Sequence, residues 1–140
     1  MRTLTVLLAA GAIGTTAPAH AASPGVYWDC TSVQARPVSV DLNCQRADAT
    51  LTSLRWKGRT ARGSFNFPSY SADGNGLVTL AARVTASRPR AVGGTTAFTR
   101  LAVKLYGSKR DREGLSRTMR YVITCDLGQG WVPSAVAKPC

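Results

Sequence analysis

The sequence predicts an all-β fold, an antiparallel β-sandwich that is immunoglobulin-like or similar, with about seven strands and two disulfides. Three observations predict it. Apolar and polar residues alternate over short runs, Gly and Pro separate the runs at spacings near ten residues, and no run has the period of a helix of three turns. A closed barrel is the less favoured alternative, because the chain is short and few glycines fall inside the strand-like runs.

The first element is a secretory signal at residues 1–21. Arg2 supplies the positive charge, residues 4–13 are mostly apolar, and Ala19-His20-Ala21 has the small residues of a cleavage site. The apolar stretch is shorter than the roughly 20 residues that a membrane span needs. We therefore expect residues 22–140 to form one exported β domain without a transmembrane segment, secreted or associated with the cell envelope.

Cleavage after Ala21 removes His20, the only histidine of the chain. A Ser-His-Asp or Cys-His relay is then excluded, and the commonest metal ligand is missing. Outward-facing Asp29 and Asp41 form a possible carboxylate pair for glycoside hydrolysis, but solvated surface carboxylates explain them better. We expect no enzymatic activity, no catalytic, cofactor-binding or metal site, and no cofactor.

Four cysteines in an exported chain predict two disulfides. Cys30 and Cys44 both fall on the apolar phase of a strand, and a hairpin through residues 34–37 brings them to one face. The favoured pairing is therefore Cys30 with Cys44 and Cys125 with Cys140.

A second pairing joins Cys44 to Cys125 across two packed sheets. Cys44 followed by Trp56 has the spacing of immunoglobulin domains. However, Tyr121 lies four residues before Cys125, whereas the immunoglobulin pattern places a tyrosine two residues before its second cysteine. This pairing stays open as the weaker one.

The remaining elements follow from alternation and from turn residues. A tail from Gly128 reads as irregular. The loops are 68–76, 88–95 and 107–116, and the strands are 50–57, 61–67, 77–86, 97–106 and 117–127.

A series of core, cysteine and turn positions runs through residues 26–122, namely Asp29-Cys30, Leu42-x-Cys44, Leu51-x-x-Leu54-x-Trp56, Ala61-x-Gly63, Val78-x-Leu80 and Phe98-x-Arg100-Leu101-x-Val103. This order resembles a group of small secreted β-rich proteins of actinobacteria, most of which have no known function. The resemblance implies a secreted β fold and says nothing about activity.

Secreted subtilisin inhibitors are similar in size, export and disulfide number. Their reactive loop carries a Cys-Pro element, whereas here Cys140 follows Pro139 at the chain end. Because of the similarities, inhibition or protein interaction through loop 107–116 or loop 68–76 is kept as an alternative function.

The charge is the one positive functional signal. The chain has 18 Lys and Arg against 7 Asp and Glu, a formal net charge of +11 and a pI near 10.4. We expect partners such as an anionic envelope polymer, lipid headgroups or a secreted protein, and no intracellular nucleic acid. A composition rich in Arg explains the charge without any ligand, so a contiguous basic face is the feature to look for. The predicted anion-binding surface is Arg55, Lys57, Arg59, Arg83, Arg100, Lys104 and Arg120, with Arg62 also on an outward phase.

Overall fold

The computed structural model describes residues 23–42, 44, 48–69, 76–92, 94–123 and 130–137. The predicted signal segment, Cys125 and Cys140 lie outside these residues. Within them no helix is long and apolar enough to cross a membrane. The described elements are the strands β1 Val26–Tyr27, β2 Val33–Gln34, β3 Val40–Leu42, β4 Ala49–Lys57, β5 Thr60–Pro68, β6 Leu77–Val92, β7 Thr95–Leu105, β8 Thr118–Ile123 and β9 Trp131–Pro133.

Strands β3 to β9 form a closed barrel, and β1 pairs with β2 in a separate two-stranded sheet. The all-β prediction is confirmed, but the sandwich is wrong. The strand that closes the barrel is β9, which pairs antiparallel with β8 and parallel with β3 through Leu42 and Trp131. The prediction of an irregular tail is wrong at residues 131–133, which form this closing strand. The sequence does not reveal β9, because the strand is short and shows no clear alternation.

The central strands agree with the predicted ones. Alternation correctly assigns the inner face of β6, where Leu80, Ala82 and Val84 are buried, and β6 continues further than expected, to Val92. The predicted loop at 88–95 is therefore wrong, because residues 88–92 belong to β6 and Thr95 begins β7. The predicted loop at 107–116 is confirmed as the connection between β7 and β8.

Strand β4 contains a β-bulge that alternation alone does not predict. Leu51 and Leu54 are both buried although they are an odd number of residues apart. The register shifts between Thr52 and Arg55, and Ser53 has a φ of 54°. On β5, Gly63 faces this bulge, and a Cβ there would lie 2.5 Å from the backbone oxygen of Thr52. The bulge thus restores the inward phase of β4 at a site where only glycine fits.

The barrel interior is filled by apolar side chains. Residues on facing strands contribute one cluster, in which Phe65 and Phe67 pack with ring centroids 5.6 Å apart. The largest fully buried side chains are Trp131, Phe65, Phe67, Leu42, Leu51, Leu101, Leu105 and Ile123.

The β1–β2 hairpin spans residues 26–34, so the predicted turn at 34–37 is wrong. Cys30 lies in the connection between β1 and β2 rather than on a strand, yet the disulfide to Cys44 is confirmed, with a Cα separation of 5.7 Å. This bond excludes the alternative pairing of Cys44 with Cys125. The disulfide joins the hairpin to the residues that follow β3.

The hairpin packs on the end of the barrel formed by the β4–β5 and β6–β7 turns. Gly25 bridges to β7, donating its amide to the carbonyl of Thr96 at 3.1 Å and accepting from the amide of Phe98 at 2.9 Å. Tyr27 is buried, because it lies between the hairpin and the barrel.

Candidate anion-binding face

Four basic side chains lie side by side across the outside of the barrel. The strand registers pair Arg55 with Arg62, Arg62 with Arg83, and Arg83 with Lys104. Directly paired residues share a face of the sheet, and all four are exposed. We call these residues the basic row. With strands about 4.8 Å apart, the row covers about 14 Å perpendicular to the strands.

The four strands that carry the basic row contribute no acidic side chain to it. Strands β4 to β7 contain no Asp or Glu at all. Like charges directly opposite each other are unfavourable, so the row is a local cost to the fold that a bound anion would relieve. The basic residues on these strands are Arg55, Lys57, Arg62, Arg83, Arg88, Arg90, Arg100 and Lys104.

The other predicted cations flank the basic row. Two residues further along the strands, a second set of paired positions begins at Lys57 on β4 and ends at Arg120 on β8. The three positions between them are Thr60, Thr85 and Ala102, so these two cations are separated across the sheet. Arg59 lies in the β4–β5 turn, outside the strands.

Arg100 and Arg120 lie together in a second location. Both line a surface depression of about 340 Å³ that also includes the hydroxyl-bearing Ser87 and Ser134. Small Ala102 separates the two arginines on the sheet surface, because it is the register partner of Arg120 and is two residues from Arg100. The predicted surface is therefore divided into the basic row and this arginine pair.

A depression next to the basic row is bounded by Tyr106. Its volume is about 360 Å³, and its lining includes Arg62 and the small residues Gly63 and Ala81. The ammonium group of Lys104 lies 5.6 Å from the centre of the exposed Tyr106 ring, a cation–π distance. Tyr106 is thus held beside the end of the row and offers an uncharged surface there.

The carboxylates that the sequence singles out have structural surroundings. Asp29 lies in the β1–β2 connection, and its Oδ1 accepts the backbone amides of Thr31, at 2.8 Å, and Ser32. Slight burial alone would raise the pKa of Asp29, but these hydrogen bonds outweigh it and hold the pKa below its ordinary value. Asp41 lies on β3, exposed and facing outward as predicted. The carboxylate of Asp29 therefore stabilises a turn.

Loop 107–116, which connects β7 to β8, is compact because its residues bond to one another. Asp111 Oδ2 accepts the amide of Ser108 at 2.8 Å, and the Ser108 hydroxyl accepts the amide of Asp111 at 3.1 Å. Hydrogen bonds from the side chain and backbone of Ser108 lower the pKa of Asp111. Arg112 is buried, and its guanidinium donates to the carbonyls of Gly107 and Leu115. The loop is held by its own contacts.

Metal ligands are not grouped in the described part of the chain. Within those residues no set of three His, Cys, Asp or Glu side chains lies close enough together to hold a metal ion.

The sequence indicates the face of each basic residue but misses the line they form. One pairing of the row could be predicted from the sequence. Gly58 and Arg59 form a two-residue turn, which pairs Lys57 with Thr60 and hence Arg55 with Arg62. The pairing of Arg62 with Arg83 depends on a longer connection, so no sequence signal gives it.

The chain matches no protein-family model, and no curated protein or solved structure matches it significantly. The resemblance to secreted proteins of actinobacteria stays a prediction.

Proposed function

We propose that this chain is a small exported protein, without enzymatic chemistry, that binds an anionic polymer at or near the cell envelope through the basic row. The observation that carries the proposal is the register of Arg55, Arg62, Arg83 and Lys104 on four adjacent strands. Guanidinium groups bind phosphate and carboxylate in a bidentate way, and a line of them suits a ligand with repeated negative charges.

The shape of the site favours a linear polymer over a lipid surface. The cations form a narrow line about 14 Å long. An extended chain can contact all of them at once, and the depression beside Tyr106 leaves room for the neutral part of a repeat unit. A membrane would meet a wider surface than this line.

Export supports an envelope partner. The Cys30–Cys44 disulfide suits an oxidising compartment, and the predicted signal at residues 1–21 directs the chain there. The anionic molecules that a secreted protein meets first are polymers of the envelope.

The test measures the affinity of the chain for inorganic polyphosphate by calorimetry at several salt concentrations. The double variant Arg62→Thr/Arg83→Thr removes the middle of the row. The matched control Arg90→Thr/Arg110→Thr changes the net charge equally at two exposed positions outside the row. Log affinity falls as log salt rises, and each lost phosphate contact is expected to make this slope shallower by about 0.7 to 0.9.

We expect the row variant to lose about two such contacts and the control to lose fewer than one. Equal losses in both variants would make the binding a matter of net charge and overturn the proposal. Polyphosphate binding that is unchanged up to about 1 M salt would do the same. Anionic vesicles that bind more tightly than polyphosphate would favour a lipid partner instead.

A second candidate is an inhibitor or protein-interaction module acting through loop 107–116. The observation that favours it is the internal bracing of this loop by Ser108, Asp111 and Arg112, because a preorganised loop loses little entropy on binding. Neutral replacements of the exposed Lys109 and Arg110 should then abolish capture of a protein partner while polyphosphate binding persists.

A further inference from the structure

A cleft separates the β1–β2 hairpin from the end of the barrel. Its volume is about 440 Å³, within the range of small-molecule sites, and barrel mouths are a preferred position for such sites. Trp56, Phe98 and Val26 supply apolar walls, and Arg36 supplies a positive charge at the edge. No member of the basic row lines it, so this hairpin cleft is a separate site.

The walls of the hairpin cleft are fixed before any ligand arrives. The indole Nε1 of Trp56 donates to the carbonyl of Pro37 at 2.8 Å, which sets the orientation of the ring. Phe98, the second aromatic residue of the lining, is joined to the hairpin through the Gly25 bridge. The Cys30–Cys44 disulfide holds the hairpin itself. A cleft with fixed walls costs little entropy to fill.

Arg36 has a backbone conformation that an arginine rarely adopts. Its φ is 118°, in the region that favours glycine. The side chain is exposed, so burial does not explain why arginine stands here. Strained residues that the fold retains are concentrated at ligand sites, and Arg36 lies on one.

We propose that the hairpin cleft binds a small organic anion, a molecule with a flat apolar body and one negatively charged group. The body lies between Trp56 and Phe98, and the charged group meets the guanidinium of Arg36. The hairpin cleft is independent of the basic row, because the two sites share no residue.

The probes are 8-anilinonaphthalene-1-sulfonate and its uncharged counterpart N-phenyl-1-naphthylamine, which share an aromatic body and differ in the sulfonate. Fluorescence titration of the folded full chain measures both affinities. We expect the wild-type chain to bind one sulfonate probe per molecule and to bind it more tightly than the neutral probe, because only the sulfonate reaches Arg36.

The variant Arg36→Gly separates ligand binding from folding. Glycine accepts a φ of 118°, so the thermal unfolding midpoint should stay or rise. The affinity for the sulfonate probe should fall about tenfold, and the affinity for the neutral probe by less than about twofold. Arg88→Gly is the matched control, since Arg88 also has a positive φ, of 55°, and does not line the cleft.

A second variant, Ala35→Trp, places a large ring at the rim of the cleft and should abolish binding of both probes. Retention of both probes by a folded Ala35→Trp chain would overturn the proposal. Equal weakening by Arg36→Gly and Arg88→Gly would also overturn it, because the probe would then respond to surface charge alone. Loss of probe binding in Arg62→Thr/Arg83→Thr, with the cleft intact, would contradict the independence of the two sites.

Discussion

The indole Nε1 of Trp131 donates a hydrogen bond to the backbone carbonyl oxygen of Tyr27, at 2.7 Å, between residues 104 positions apart in the chain. Both side chains are buried. The bond joins the strand that closes the barrel to the hairpin that covers its end. One side chain therefore connects the two sheets of the fold.

Replacing this indole should destabilise the protein strongly. Trp131→Phe leaves the carbonyl of Tyr27 without its donor in a buried place and removes part of the packed volume, so we expect a loss of about 2 to 3 kcal/mol in the free energy of unfolding. Urea denaturation measures it. Trp28→Phe is the comparison, because Trp28 is only half-buried, and its loss should be under about 1 kcal/mol. Similar losses in both variants would contradict the connecting role of Trp131.

Gly130 should tolerate alanine far less well than Gly58. Both have a φ of 59°, so the conformational cost of a side chain is the same. At Gly58 nothing lies within 4 Å of a new Cβ, whereas at Gly130 that atom would lie 2.6 Å from Sγ of Cys44. We expect Gly58→Ala to cost about 1 kcal/mol and Gly130→Ala at least 2 kcal/mol more by thermal unfolding. Equal costs would mean that contact with the disulfide is unimportant.

Removing a member of the basic row should make the protein more stable. Arg83→Thr relieves repulsion with Arg62 and Lys104, so we expect a gain of about 0.5 kcal/mol at low salt that disappears near 1 M salt. Arg90→Thr on the same strand is the control, because its register partner is Ala97. A loss of stability in Arg83→Thr at low salt would show that the row has a structural role instead.

Acid should weaken the β1–β2 connection through Asp29. The folded-state pKa of this carboxyl lies below its ordinary value of 3.8, so the folded chain favours the ionised form more than the unfolded chain does. Its stabilising effect is complete above that ordinary value and is lost as the pH falls through the folded-state pKa. The stability difference between wild type and Asp29→Asn should therefore shrink between about pH 6 and pH 2.5, measured by urea unfolding. A constant difference would contradict the assignment.

The sequence predicts what depends on local alternation. The faces of β5 to β8, the face of β4 after its bulge, and the outward direction of Arg55, Arg83 and Lys104 follow from which residues are apolar, because each side chain of a strand points opposite to the next. The Cys30–Cys44 bond was also correctly predicted, although Cys30 lies in a connection and not on a strand.

What the sequence does not predict depends on pairing between distant segments. The bulge at Ser53, the closure by β9 and the line from Arg62 to Lys104 are matters of register, which alternation leaves undetermined. The buried position of Tyr27 has the same origin, since it results from packing of the hairpin on the barrel. The hairpin cleft is likewise made by two segments that meet only in the folded chain.

The parallel pairing of Leu42 with Trp131 also constrains how the protein folds. Long-range strand pairing is slow because a large loop must close before the contact forms, and it raises the contact order of the fold. A chain that is still emerging from a ribosome lacks β9 and has an open edge on both β3 and β8. The barrel can be completed only after residues 131–133 are free, so folding of this domain is a step that follows release of its closing strand.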